Sequence, residues 1–186
     1  MITTTSLQAL ILAANDGDGA AWGSIVDRFA GLVWATTRAH RLSAADAADV
    51  TQTTWLRLVE NLDRIHDPER LGAWLATTAR HECLRLIRLR GREMPTDEES
   101  VFDVPSDEAV DKRLLTGERD HALQRALKTI GERCQALLRL LAAPDPPSYE
   151  EIGAALGMPI GAIGPTRARC LDKLRSSPEL AGLDLR

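Results

Sequence analysis

Five side chains between residues 77 and 92 have the types and spacing needed to hold a nucleic acid. On a helical wheel of about 100° per residue, they share one narrow arc: Thr77, His81, Arg85, Arg88 and Arg92. Arginines neutralise phosphates, while histidine and threonine can also contact bases. Leucines and alanines lie roughly opposite, where a core would bury them. The arc is therefore predicted to bind nucleic acid, and the alternative is a charged face in solvent.

A second candidate lies near the C-terminus, in the stretch SYEEIGAALGMPIGAI that begins at Ser148. Ser148 can cap a helix, and Glu151 three residues later completes a capping box. Gly157 then allows a tight turn into another helix, which makes a helix-turn-helix of the kind that reads the major groove. The outer arc of that second helix carries Pro165, Thr166, Arg169 and Lys173. A plain helical hairpin is the alternative interpretation.

The pair Gly164-Pro165 lies where this second helix should form. Proline lacks an N–H and clashes with the carbonyl four residues back, which costs about 3 kcal/mol inside a helix but little in its first turn. The helix therefore either starts with Pro165 at its first position or begins at Ile160 and bends at the proline. In both cases Thr166, Arg169 and Lys173 are expected to share one exposed face.

The elements that must position these residues are predicted to be helices throughout. Of the 186 residues 44% are hydrophobic and only 4% aromatic, and β-branched residues do not alternate as in strands. Ser43 with Asp46 predicts a helix from Ala44 to about Asn61. Asp67-Pro68 begins the next helix, which is expected to end at Gly91. The fold class is all-α.

Charge and proline divide the chain into two small helical domains. Five arginines against one acid lie between residues 80 and 92, whereas residues 93–111 contain eight acids and neither lysine nor arginine. We expect a helical bundle over residues 1–92, a mobile acidic linker over 93–115, a second domain over 116–178 and a tail over 179–186. The helices of the second domain are expected at residues 118–130, 132–142 and 149–156, with a last one ending near 175.

Several classes of protein are disfavoured by the sequence. Its apolar stretches are far shorter than the ~20 residues of a membrane span, and without a secretory signal a cytoplasmic location is expected. Cys83, Cys134 and Cys170 are odd in number and show no Cys-x-x-Cys pattern, so they are predicted to be small buried side chains, neither zinc ligands nor a disulfide framework. No nucleophile motif, phosphate loop or metal-spaced cluster occurs, so no catalytic residue, cofactor or metal is predicted.

Four stretches of the sequence, in this order, resemble the extracytoplasmic-function sigma factors of the sigma-70 family. They are GDGAAWGSIVDRFAGLV, DAADVTQTTWLRLVENLDRI, LGAWLATTARHECLRLIR, and SYEEIGAALGMPIGAI followed by LDKLR. The resemblance covers nearly the whole chain and implies a sigma-2 bundle joined by the linker to a sigma-4 helix-turn-helix domain. Such a protein binds core RNA polymerase, directs it to specific promoters and helps to open the DNA, without being an enzyme.

The resemblance also implies partners and residue roles. Asp49 and Gln52 match the family's Asp-x-x-Gln, which docks on the clamp helices of the largest polymerase subunit. The arginine arc of residues 77–92, together with Arg64, would read the minus-ten element. The sigma-4 domain would dock on the flap of the second-largest subunit and read the minus-thirty-five element with Ser148, Pro165, Thr166, Arg169 and Lys173. An anti-sigma factor is a further partner that the resemblance allows.

A rival interpretation is that the protein binds DNA but not RNA polymerase. A two-domain helix-turn-helix regulator would bind duplex promoter DNA on its own and would not need Asp49 or Gln52.

The sequence leaves the roles of two residues open in either interpretation. Trp74 lies at the edge of the basic arc and could stack on a base, although a large aromatic in a bundle more often joins the core. Glu82 falls among the apolar positions, where the pattern offers no reason for an acid.

Overall fold

The computed structural model describes residues 6–93, 118–143 and 146–181. In these ranges the chain forms eight α-helices and three short 3-10 turns, with no strand, as the all-α prediction requires. The helices are α1 (Leu7–Asn15), α2 (Gly19–Ala39), α3 (Ala44–Asn61), α4 (Leu71–Glu93), α5 (Glu118–Thr129), α6 (Glu132–Leu141), α7 (Tyr149–Leu156) and α8 (Ile160–Arg175). Most of the acidic linker lies outside the described residues.

Local capping signals determine where the helices of the first half begin. The Asp18 carboxylate accepts hydrogen bonds from the N–H groups of Ala20 and Ala21 at the start of α2, at 2.8 and 3.2 Å. The Ser43 hydroxyl accepts one from the Asp46 N–H at the start of α3. These side chains satisfy N–H groups that have no partner inside the helix. The bounds of α3 agree with those predicted.

The start and end of α4 differ from the prediction. Asp67 and Pro68 open a 3-10 turn, Pro68–Arg70, and the α-helix begins only at Leu71. The helix then continues through Gly91 to Glu93, so the prediction that Gly91 ends it is wrong. A glycine ends a helix when it takes the left-handed conformation, but glycine can also remain helical, as Gly91 does here.

The two halves of the chain share one hydrophobic core. Leu71 and Leu75 of α4 are fully buried in the same cluster as Leu137 of α6 and Ile152 of α7. Helix α4 lies against α7, and α2 lies against α6. Burial of side chains this large is the main force that can hold helices together. In this structure the helix-turn-helix is thus packed directly on the N-terminal bundle.

At two glycines, side chains from the other half of the chain occupy the space that a Cβ atom would take. A Cβ atom added at Gly72 of α4 would collide with the carboxylate of Glu151 and lie 3.1 Å from Cε1 of Phe29. Gly157 ends α7 with φ +60°, and a Cβ atom added there would lie 2.6 Å from a terminal nitrogen of Arg80. A larger residue at position 72 would displace the Glu151 carboxylate, and one at position 157 would displace the Arg80 guanidinium.

The cysteines do not follow the prediction. Cys134 of α6 and Cys170 of α8 form a disulfide with their Cα atoms 5.3 Å apart, so the expectation of no disulfide is wrong. The two residues are 36 positions apart in sequence, and only the packing of α6 on α8 brings them together. Cys83 is free and buried, as predicted, and burial raises the pKa of its thiol to about 12.

Two further observations concern metal sites and membrane-spanning helices. No group of three or more His, Cys, Asp or Glu side chains that could hold a metal ion occurs in the described part of the chain. Within the same ranges, none of the helices has both the length and the apolar character required to cross a bilayer.

Candidate nucleic-acid interface

The predicted basic arc forms one face of α4. His81, Arg85 and Arg88 are exposed, Thr77 is half-buried, and the side chain of Arg92 lies outside the described residues. Trp74 packs against the hydrophobic core, which favours the core interpretation over base stacking. Three of the five arc residues thus present donors or charge to solvent on a single helix side.

Helix α7 covers a different side of α4. Gly72 and Arg80 are the α4 residues that approach Glu151 and Gly157. At about 100° per residue, Arg85 lies roughly 140° from each of them around the helix axis. The packing of the two halves therefore leaves His81, Arg85 and Arg88 of the arc exposed.

One residue of the basic arc, Arg85, forms an ion pair with Glu82. The carboxylate of Glu82 accepts a hydrogen bond from Nε of Arg85 at 2.7 Å, and its other oxygen lies 3.7 Å from Nε of Arg57 in α3. The Glu82 side chain is only 12% exposed. It lies between α3 and α4, where two guanidinium groups compensate a buried charge. The acid that interrupts the apolar positions of α4 thus has two charged partners.

Arg64, the remaining minus-ten candidate, lies apart from α4. It ends the 3-10 turn Leu62–Arg64 that follows α3, and its side chain is exposed. Leu62 in the same turn is buried in the core and anchors the turn to the bundle. The structure thus places Arg64 on the connection between α3 and α4.

The C-terminal motif has helix-turn-helix geometry. The Ser148 hydroxyl accepts a hydrogen bond from the Glu151 N–H at 3.2 Å, and the Glu151 carboxylate accepts one from the Ser148 N–H at 2.7 Å. This reciprocal pair is the predicted capping box. Gly157 takes the left-handed conformation that a tight turn requires.

Helix α8 begins at Ile160 and includes Pro165 in its interior. The alternative that places Pro165 at the first helical position is therefore wrong. Pro165, Arg169 and Lys173 are exposed, and Thr166 is half-buried. A terminal nitrogen of Arg169 donates to the Thr166 hydroxyl at 3.3 Å. The two residues expected to read bases thus lie side by side, one turn apart.

A third surface, between α2 and α3, was only partly predicted from the sequence. Asp49 and Gln52 are exposed on α3, and Gln52 borders a shallow groove of about 550 Å³ between α2 and α3. The walls of the groove are mainly apolar and include Trp22, Trp34, Trp55, Leu56 and Val59. Leu56 is 55% exposed and Val59 is 58% exposed. Their spacing from Gln52, four and seven residues, is the signal that places all three on one face.

Comparisons with known proteins find sequence similarity to sigma factors. Residues 25–93 match sigma-70 region 2. The ECF RNA polymerase sigma factor SigE of Mycolicibacterium smegmatis (strain ATCC 700084 / mc(2)155) is 32% identical over 154 residues, which cover 79% of this chain. The match spans only 58% of the length of that relative.

Two solved structures share the fold at low sequence identity. CnrH, solved in complex with the cytosolic domain of CnrY, has a TM-score of 0.55 and 21% identity over 90% of this chain and 93% of its own. The sigma factor RpoE from Bartonella quintana, solved with the anti-sigma factor NepR, has a TM-score of 0.55 and 20% identity over 83% and 94%. The chain thus contains a sigma-70 region 2 and is similar in sequence to an extracytoplasmic-function sigma factor. Its fold is shared with CnrH and RpoE.

Proposed function

We propose that this protein is an alternative sigma factor that binds core RNA polymerase, directs it to specific promoters and promotes initiation. Residues 1–92 dock on the clamp helices of the largest subunit and read the minus-ten element. Residues 116–178 dock on the flap of the second-largest subunit and read the minus-thirty-five element. The acidic segment 93–115 connects the two, and an anti-sigma factor is a further partner, as NepR is for RpoE in their solved complex.

The observation that carries this proposal is the presence of two unlike surfaces on one helical unit. The groove between α2 and α3 is apolar and bordered by polar groups, whereas the arc on α4 is basic. At about 100° per residue, Val59 of the groove lies roughly 160° around α3 from Arg57, which is on the side of α4. A protein partner and DNA can therefore bind the bundle at the same time.

The groove has the chemistry of a helix-docking site. Contiguous exposed apolar surface marks an interaction site, and aromatic anchors with a polar rim are typical of such interfaces. Three tryptophans supply the anchors, and Asp49 and Gln52 supply polar groups on the same helix. An amphipathic helix laid into an apolar groove is a common mode of recognition. This supports the clamp helices as the occupant.

The proposal is tested by measuring binding to core polymerase and transcription from promoters identified by transcript mapping. Leu56→Asp is expected to weaken core binding at least tenfold, since it places a charge in an apolar contact. Leu12→Asp on α1 is the matched control, because Leu12 is 60% exposed but does not line the groove. Asp49→Ala with Gln52→Ala should weaken core binding as well.

Two results would reject the proposal. Wild-type protein that does not bind core polymerase, or that binds it without starting transcription at any promoter, is not a sigma factor. Tight binding of the isolated protein to duplex promoter DNA, unaffected by Asp49→Ala and Gln52→Ala, would instead favour a regulator that acts without polymerase.

A further inference from the structure

The Glu82 carboxylate joins two arginines that belong to different helices. Its partners are Nε of Arg85 on α4, at 2.7 Å, and Nε of Arg57 on α3, at 3.7 Å. Arg57 also donates to the exposed carboxylate of Glu60 at 3.1 Å. Arg57 was not among the predicted DNA-binding residues, yet this contact places it beside the basic arc.

Such an arrangement has a cost that a purely structural role does not explain. A carboxylate removed from water is unfavourable unless it is paired, and an apolar side chain would fill the gap between α3 and α4 without that penalty. Meanwhile the two guanidinium groups stay accessible, with Arg85 64% and Arg57 50% exposed. The acid therefore restrains two surface arginines without hiding them.

We propose that Glu82 is a positioning residue for minus-ten recognition, and that it holds Arg85 and Arg57 as a pair that extends the basic face from α4 to α3. This inference rests on the proposed function. A free arginine side chain samples many rotamers and binds any nearby phosphate, whereas a restrained one loses less entropy on binding and fits fewer geometries. The negative charge also lowers the attraction of this face for DNA of any sequence. Glu82 thus lowers the affinity for non-specific DNA and raises the discrimination between minus-ten sequences.

The test compares holoenzymes, formed from core polymerase and each variant, on two promoter fragments that differ only in the minus-ten element. The readouts are the ratio of the two affinities and the slope of log affinity against log salt. Glu82→Gln is expected to bind the mutated fragment more tightly than wild type does and to lower the ratio roughly fivefold or more. Its salt slope should become steeper by about 1, because one more phosphate is neutralised.

Glu60→Gln is the matched control. It removes the same charge from a partner of Arg57, one turn from it on α3, but Glu60 does not contact Arg85. Its ratio is expected to stay close to that of wild type. Arg57→Gln should make the salt slope shallower by about 1, as for a lost phosphate contact. Thermal unfolding of each variant shows whether it remains folded.

Arg85→Lys supplies an independent variant in case Glu82→Gln does not fold. It keeps the charge but lacks the Nε–H that binds Glu82, so the ratio should fall while the salt slope stays the same. An unchanged ratio in folded Glu82→Gln, or an equal fall in Glu60→Gln, would overturn the inference and leave the proposed function intact. A wild-type holoenzyme that does not distinguish the two fragments would overturn both.

Discussion

The imidazole Nε2 of His40, at the C-terminal end of α2, lies 3.2 Å from the carbonyl oxygen of Ala155 in α7. Since a carbonyl oxygen only accepts, the imidazole donates this hydrogen bond. The bond joins the two halves of the chain across 115 residues of sequence. Burial lowers the pKa of His40, the bond to Ala155 acts in the opposite direction, and the nearby Arg80 lowers it further.

This environment predicts that the fold loses stability in mild acid. The folded-state pKa of His40 is below its unfolded value of about 6.5, so the unfolded chain binds the proton more readily. The contribution of His40 to the free energy of unfolding is therefore complete above a pH of about 6.5. It is lost as the pH falls through the folded-state pKa. Chemical denaturation at pH 7.5 and 5.5 measures the effect. His40→Gln should reduce the difference, and an equal difference in both proteins would contradict this role.

Gly72→Ala is expected to destabilise the packing of α7 on α4. The new Cβ would displace the Glu151 carboxylate, which accepts the Ser148 N–H in the capping box. Gly31→Ala on α2 is the matched control, because nothing lies within 4 Å of the Cβ it would add. In that open position alanine should stabilise the helix by about 0.5–1 kcal/mol. Urea denaturation should show Gly72→Ala to be about 1–3 kcal/mol less stable than Gly31→Ala.

Reduction of the Cys134–Cys170 disulfide should lower the stability of the C-terminal helices. Closing a loop across 36 residues contributes about 2–4 kcal/mol through the entropy of the unfolded chain. Wild-type protein should therefore unfold at a lower temperature in dithiothreitol. Cys134→Ala should unfold at that lower temperature with or without reductant. A wild-type melting temperature that reductant does not change would contradict the role of the bond.

Arg169→Ala is expected to weaken recognition of the minus-thirty-five element by about 1–3 kcal/mol and to leave core binding intact. Arg169 is exposed on α8 and hydrogen-bonds to Thr166. Arg167, exposed two residues earlier on the same helix, provides a comparison variant, Arg167→Ala, with the same loss of charge. Affinities of the holoenzymes for wild-type and mutated elements measure the effect. Equal discrimination by wild type and Arg169→Ala would reject base reading by Arg169.

The sequence by itself determined where several helices begin, α3 and α7 among them, since those signals are local. Ser43, Ser148 and Glu151 cap their helices through hydrogen bonds that span three residues, and the pattern of residue types is enough to predict them. The side of α4 that carries His81, Arg85 and Arg88 also follows from helical periodicity alone. The family resemblance rested on such local stretches, which the region 2 match and the SigE relative support.

The tertiary structure alone decided the contacts between distant residues. The Cys134–Cys170 bond, the Glu82 contact with Arg57 and the packing of Gly72 against Glu151 each join separate helices. Periodicity assigns a residue to a helix face but does not say which other helix covers that face. For the same reason the sequence did not predict the groove beside Val59, which depends on how α2 packs beside α3. Which faces are buried depends on how the helices pack, and that is a property of the whole chain.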